Sequence, residues 1–530
     1  MSKLRVVLML AALLAFAGLA HGQETKDAQP AAGEVVLRLG MDADPESMDP
    51  HMILSGATLQ YSHTVFDPLV RWTKEGVIEP RLAERWEQPN PTTTRFYLRK
   101  GVKFHSGNDF TAKDVVWTMD RLKKSQEFKG LFAPFTAAEA VDDYTVDLKT
   151  KEPYSLVLAM ATYLFPLDAK FYTGADESGQ PKDLINKTGP SFANFNESGT
   201  GAFRVVKREK GVKWELERFK DYWDKNSPGN VAKIVLTPIK EEATRVAALL
   251  SGDVDMIQPV PPQDYKRVGD DPKLQLITMP GTRVITFQMN QERRPEFKDK
   301  RVRQALILAV NNDGIVQAIM KGAATAAHQQ SPKGLAGFNP ELKTRYNIEK
   351  AKALMKEAGF ENGFEATMIA TNNRYVNDEK IAEAVASMLA KINIKVSLKT
   401  YPKAQYWDEH FHKHEADLQM IGWHPDTEDS ANYSEYLLMC RSKDTGMGQY
   451  NSGDYCNPEL DKLVLASRSE LDQAKRAKLL QDVERLAYDD AAFIPLHWQN
   501  LSWAAKKNFK IEPIVNGMDY PHYGDLKVEK

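Results

Sequence analysis

Cysteine is nearly absent: two residues, Cys440 and Cys456, in a chain of 530. That excludes a disulfide-rich scaffold, and the spacing of the pair excludes a CxxC-type metal or redox site. Catalytic signatures are missing too, with no G-x-S-x-G elbow, no zinc-protease motif and no phosphate-loop glycine pattern. Neither sign of charge dominates, since 70 Lys+Arg stand against 72 Asp+Glu. The chain therefore carries no footprint for nucleic acid or anionic lipid. There is no low-complexity tract and no internal repeat at a period of 20–50 residues. What remains is a chain with 42% apolar and 27% charged residues, the balance of a soluble globular protein. It is too long for one ordinary core and implies two or three domains.

The longest apolar run, Val6 to Leu19, follows Lys3 and Arg5 and is short for a membrane span. Residues 1–20 read as a signal peptide, cut after Ala20 or alternatively at Gly22; the competing reading is a retained anchor. No cysteine follows the run, so lipid attachment there is excluded. Removing Lys3 and Arg5 takes the formal net charge from −2 to about −4. The mature protein is expected in the periplasm, free of the membrane. An oxidising compartment favours a Cys440–Cys456 disulfide, with two buried thiols as the alternative.

Residues Leu82 to Met119 are the most informative stretch. Phe96 and Leu98, two apart, share one face of a short strand after the Pro-Asn-Pro break. Arg99-Lys100-Gly101 turns the chain. Thr111 opens a helix with Asp114 three residues on, a weaker form of the capping box. Val115, Met119 and Leu122 follow at helical spacing as the buried stripe. Further along, helices are expected from Glu241, from Ile348 after an Asn347 cap, from Asp378, and from Pro458 after Asn457. Strands are expected at Ile394–Leu398, Leu418–Ile421 and Phe493–His497. Alternating strands and helices imply an α/β core. Ser198-Gly199-Thr200-Gly201-Ala202-Phe203 lacks the third glycine of a dinucleotide loop and leads into a strand, so that reading fails.

The wording of this stretch, "P-x-LAE-x-W…T-x-x-F-x-LRKGVKFH-x-G…FTA-x-DVV", resembles the extracytoplasmic solute-binding proteins of family 5, the dipeptide- and oligopeptide-binding receptors of ABC importers. Similar echoes are Glu46-Ser47-Met48-Asp49-Pro50, Gly199-Thr200-Gly201, Ser251-Gly252-Asp253-Val254-Asp255 and Arg301-Val302-Arg303-Gln304-Ala305. The resemblance implies a type II-like two-lobed clamshell. Lobe I would comprise 34–66, 199–284 and 497–530, with an inserted subdomain at 67–198, and lobe II would be 285–496. It further implies capture of a short peptide and delivery to a membrane permease, with no cofactor, no resident metal, no nucleic acid and a monomeric state.

Candidate binding residues follow from the same resemblance. Gly422-Trp423-His424-Pro425-Asp426 matches the peptide receptors' "GW-x-x-D", which assigns Trp423 to the cleft wall and Asp426 to the ligand's α-ammonium. A carboxylate just past a strand's carboxyl end also lies where open α/β sheets bind ligands. Arg374 and Tyr375 resemble an "R-x-Y-N" neighbourhood whose arginine takes the ligand carboxylate, a role suited to its planar fork. Ser55, Gly56 and Ala57 resemble a loop whose backbone faces the ligand. His410, His412 and His414 form the one metal-like cluster, with His410 and His414 on one face if helical; a solvated surface segment is the plainer reading. The alternatives are a non-peptide solute (a nickel chelate, haem or a glutathione-like compound) and, from another class, an exported hydrolase, which would need a nucleophile–base pair in the cleft.

Overall fold

Two long antiparallel strands, Leu274–Met289 and Phe493–Lys506, form the spine of the molecule. The computed structural model describes residues 34–530, apart from 188, 373, 426, 428, 443 and 444 and the side chains of 404, 408 and 409. The leader expected over residues 1–20 lies outside that range. The spine strands pair over Leu274–Pro280 with Lys506–Asn500 and again over Val284–Gln288 with Trp498–Phe493, with a register irregularity between Pro280 and Val284. On one side the sheet continues through Met256–Gln258, Val36–Met41, Lys233–Pro238, Lys213–Arg218 and Phe203–Glu209. On the other it continues through Leu418–Trp423, Glu365–Thr371 and Lys395–Tyr401; with Ala324–Ala326, which pairs off this path with Phe493–Lys506, one mixed sheet of 11 described strands runs through both lobes.

The strand expected at Phe493–His497 is therefore much longer. Apolar patterning stops at Gln499-Asn500, which resembles a strand end, because both residues line a cleft rather than a core. It resumes with buried Trp503, Ala504 and Ala505. On the facing strand Pro280 and Gly281 produce the same break. Gly281 is required there, since a Cβ would lie 2.9 Å from the carbonyl oxygen of Gln499.

The Leu82–Met119 stretch folds as expected from Thr93 onward. Thr93–Leu98 buries Phe96 and Leu98, and Thr111 caps the helix Ala112–Leu122 with the reciprocal Asp114 bond (Thr111 N–H to Oδ2, 2.8 Å). The Pro-Asn-Pro segment is not a break before a lone strand. Ala83–Asn90 is itself a strand, paired with Thr93–Leu98 at the edge of a separate four-stranded sheet. An edge strand tolerates Pro89 because no inner ladder bond is lost.

The segment around Gly199 and Gly201 packs on the end of the helix Gly56–Val65. A Cβ on Gly199 would sit 2.1 Å from the Val65 carbonyl oxygen, and Gly201 donates its N–H to that oxygen at 2.9 Å. Close backbone approach, not phosphate binding, explains these glycines. Separate apolar cores lie on the two sides of the spine. One gathers Leu37, Phe66, Trp214 and Trp503; another gathers Phe287, Leu306, Ile381 and Leu418. Among the described residues no helix is long and apolar enough to cross a membrane.

Candidate functional site

A cleft of roughly 940 Å³ opens where the spine strands cross. Its floor is Gly281–Arg283 with Gln499–Ser502; one wall comes from residues 42–44, 46, 54–57, 59, 60, 242, 258–262, 265 and 517–520, the other from 374–376, 403, 407, 412, 422–424 and 450.

The second wall is assembled on strand ends. Leu418–Trp423 finishes at the cleft, and the Trp423 indole donates to Oδ1 of buried Asn432 at 2.8 Å. Its ring stacks on Tyr436 (5.1 Å between centroids) and leans on Tyr450 (4.9 Å), while Trp407 and His412 pack against Tyr450. Tyr450 sits in the loop closed by the Cys440–Cys456 disulfide, and Tyr450 N–H is fixed to the carbonyl of Tyr436 at 3.0 Å. The disulfide thus restrains part of the aromatic wall. Gly422 leaves room for Tyr375: a Cβ would lie 2.5 Å from Ile285 and 2.6 Å from the Tyr375 ring. The Tyr375 hydroxyl donates to the Gly422 carbonyl (3.1 Å) and accepts from its N–H (2.9 Å), so its polar capacity is spent on the strand. Arg374 lines the cleft beside it. Buried Asp378 accepts from the Thr371 hydroxyl at 2.6 Å and from the N–H groups of Arg374 and Tyr375 at 3.0 Å, which sets the loop that carries the guanidinium. Asp426 lies outside the described residues.

Ser55, Gly56 and Ala57 line the opposite wall, at the start of the helix Gly56–Val65. Ser55 turns its hydroxyl to Thr58 (3.0 Å) and does not cap the helix, whose first turn carries no acidic residue. The backbone N–H groups of that turn are left for water or for a ligand's anionic group. No atom lies within 4 Å of the position a Gly56 Cβ would take.

Sequence reasoning missed Arg283, His424, Asp42 and Asp519 in the same cleft. Burial, reinforced by the Arg283 charge, pulls His424 down to about 3, so the ring is neutral, with Nδ1 2.5 Å from the Thr282 hydroxyl. The walls are electrically unlike: Asp42, Asp44, Glu46, Glu242 and Asp519 belong to the first, Arg374 and Lys403 to the second, and Arg283 rises from the floor beside it. Asp44 is occupied by the Trp214 indole (2.7 Å) and the Gly211 N–H (2.8 Å).

The three histidines do not share a face. A turn of π-helix ends at His410, a 3₁₀ turn follows, and His414 is left-handed at φ 53. His410 stacks on Tyr401 and contacts Glu415 at 2.7 Å, His414 contacts Asp454 at 3.2 Å, and His412 alone reaches the cleft.

Residues 77–445 match the model of the bacterial extracellular solute-binding proteins, family 5. The chain belongs to this family. Among its relatives, this solute-binding protein is 28% identical to the dipeptide-binding protein of Escherichia coli (strain K12), over 92% of this chain and 94% of that one. It is 30% identical to heme-binding protein A of Haemophilus influenzae, over 85% of each. Its fold matches the periplasmic binding protein DppA of Helicobacter pylori, solved with the peptide STSA, at a TM-score of 0.72, 25% identity, and 93% and 98% coverage.

Proposed function

We propose that this solute-binding protein captures short peptides in the periplasm and delivers them to the permease of an ABC importer. The observation that carries the reading is the cleft's two-signed lining, carboxylates on one wall and Arg283, Arg374 and Lys403 on and beside the other. That pattern suits a zwitterion of peptide size. A cleft of roughly 940 Å³ is at the upper end of small-ligand sites, leaving room for varied side chains and bridging water. The relatives named for dipeptides support the same class.

In this reading Asp426 takes the α-ammonium and Arg374 the carboxylate. Trp423 packs on the ligand backbone, and Ser55–Ala57 present free N–H groups. Tyr375 acts through the strand it holds. The lobes are 34–66 with 199–284 and 497–530, and 285–496, with 67–198 inserted in the first; they close by bending where the spine strands cross, at 280–284 and 498–500. Export by the 1–20 leader and a monomeric state complete the proposal.

A second reading is favoured by one feature, the aromatic wall of Trp407, Trp423 and Tyr450, which suits a flat solute such as haem. Native mass spectrometry of protein purified without denaturation separates the two. A co-purified series of peptide masses supports the first reading; a single non-peptide mass overturns it in favour of the second.

A further inference from the structure

Asp519 lies in the cleft in a setting that nothing about the amine and carboxylate anchors requires. It has a left-handed backbone (φ 63), a conformation that non-glycine residues adopt rarely and asparagine or aspartate most easily. The loop around it is held rigidly. Buried Asn516 accepts from the N–H groups of Met518 (3.1 Å) and Tyr520 (3.2 Å) and donates to the Tyr520 carbonyl (2.8 Å).

A directed relay leads toward its carboxylate. The Tyr523 hydroxyl donates to Gln258 (2.9 Å), and the Gln258 amide donates to Oε1 of Gln60 (2.7 Å). That leaves the Gln60 amide N–H on the side of Asp519, where it favours the ionised carboxylate. All three relay side chains are buried. From another direction fully buried Trp503 turns its indole N–H toward the same carboxylate without closing a full hydrogen bond. Such donors orient an anion, yet among the described residues no cation pairs with Asp519. The charge that acts on it is a second carboxylate, Asp42, just past the strand Val36–Met41, which in turn feels Arg245 and Glu242.

We propose that Asp519, with Asp42, forms a cation subsite on the wall opposite Arg374, and that the preferred ligand carries a basic group, ammonium or guanidinium, in addition to its α-amine. The proposal rests on the peptide reading of the cleft. The two carboxylates repel each other; Arg245 partly offsets the charge of Asp42 and no cation among the described residues offsets that of Asp519, so a ligand cation relieves the repulsion as the cleft closes. Burial and the Asp42 charge raise Asp519 to about 7, and burial raises Asp42 as well. Tyr523, pushed far up, stays neutral in this range. A bound cation then favours the ionised carboxylates, so binding at pH 7 releases a fraction of a proton.

The test is calorimetry with Ala-Lys against Ala-norleucine, and Lys-Ala against norleucine-Ala, on wild type, Asp519→Asn and Asp519→Gly. Asparagine and glycine both accept the left-handed backbone, so these variants retain the loop. Expected is a lysine preference in wild type of about 10- to 100-fold in one of the pairs, falling to about one in both variants. The proton release, read from two buffers of different ionisation enthalpy, should shrink in Asp519→Asn. A wild-type ratio near one, or a ratio unchanged by the variants, overturns the subsite. If no peptide binds wild type, the peptide reading falls instead. The subsite is then judged by L-lysine against L-norleucine: a preference that disappears in Asp519→Asn supports it, and equal binding or none overturns it.

Discussion

The two walls of the cleft are built in different ways. The wall that carries Arg374 and Trp423 stands on the ends of adjacent strands, and its side chains are locked by local bonds: Tyr375 to Gly422, Trp423 to Asn432, Asp378 to its own loop. The wall that carries Asp42 and Asp519 draws on segments from opposite ends of the chain, joined by the Tyr523–Gln258–Gln60 relay. Strand ends give a fixed, contiguous surface suited to the part of a ligand that never varies. A wall drawn from segments far apart in the chain can change one residue at a time, and it suits the part that does vary.

The largest expected effect falls on the anchors proposed for the two charged ends of the ligand. Truncating one partner of a buried charge pair costs about 2–5 kcal/mol, so Asp426→Ala should weaken binding of a cognate peptide roughly 30-fold to several-thousand-fold. N-acetylation of the peptide should do the same to wild type. The two losses should not add, because both remove one interaction. Arg374→Ala should weaken dipeptides and leave longer peptides nearly unchanged where their carboxylate lies elsewhere. Calorimetry on this set decides it, and wild-type affinity in Asp426→Ala would remove the amine anchor from the account.

The same contrast separates what was legible in the sequence from what was not. Gly422, Trp423, Arg374 and Tyr375 lie in short motifs beside predicted strands and helices, so a resemblance could place them together. Asp42 and Asp519 carry no periodic or motif signal; only the folded sheet brings residues that far apart in the chain to one cleft. The long strand Phe493–Lys506 was cut short for a related reason. Its polar Gln499-Asn500 pair marks a surface inside the molecule, and the hydrophobic pattern cannot distinguish a cleft from solvent. The histidine cluster shows the converse, since spacing alone suggested a shared face that the left-handed backbone at His414 prevents.

Next in size are changes behind the aromatic wall. Replacing both Cys440 and Cys456 by serine should lower unfolding stability by about 3 kcal/mol through the longer free loop of the unfolded chain. It should also loosen Tyr450, and so reduce peptide affinity more than a surface change of equal stability cost. Chemical denaturation alongside calorimetry separates the two. Gly422→Ala puts a methyl group against Ile285 and the Tyr375 ring, both closer than 3 Å. Overpacking of this kind costs about 1–3 kcal/mol, and the displaced Tyr375 should weaken binding even where the fold survives. A variant as stable as wild type would show that the strand end yields more easily than its packing implies.

The smallest effect belongs to the scaffold of the acidic wall. His105 is tied to it through Gly201, which bonds the last residue of the helix Gly56–Val65; its Nδ1 lies 2.8 Å from Glu197 and its Nε2 3.0 Å from the Gly201 carbonyl. Both partners are acceptors, so both ring nitrogens must donate and the ring is held as imidazolium. Burial opposes the charge, but Glu197 and the carbonyl overcome it and raise the group above its ordinary value. A histidine raised in the folded state contributes stability that is fully present below about pH 6.5. That contribution is lost as the pH climbs through the higher folded value. His424 and His497, buried and pulled down to about 3 and about 4, work in the opposite sense. They cost stability as the pH falls below about 6.5, when the unfolded chain takes up protons that the folded one refuses. Wild type should therefore lose stability on both sides of neutrality, by different residues. His105→Gln keeps one donor and cannot titrate, so it should flatten only the alkaline side, by about 1 kcal/mol or less. Urea midpoints measured from pH 5 to pH 9 read this directly. An alkaline slope identical in wild type and His105→Gln would mean that the ring is neutral at that position and that one of its two short contacts is not a hydrogen bond.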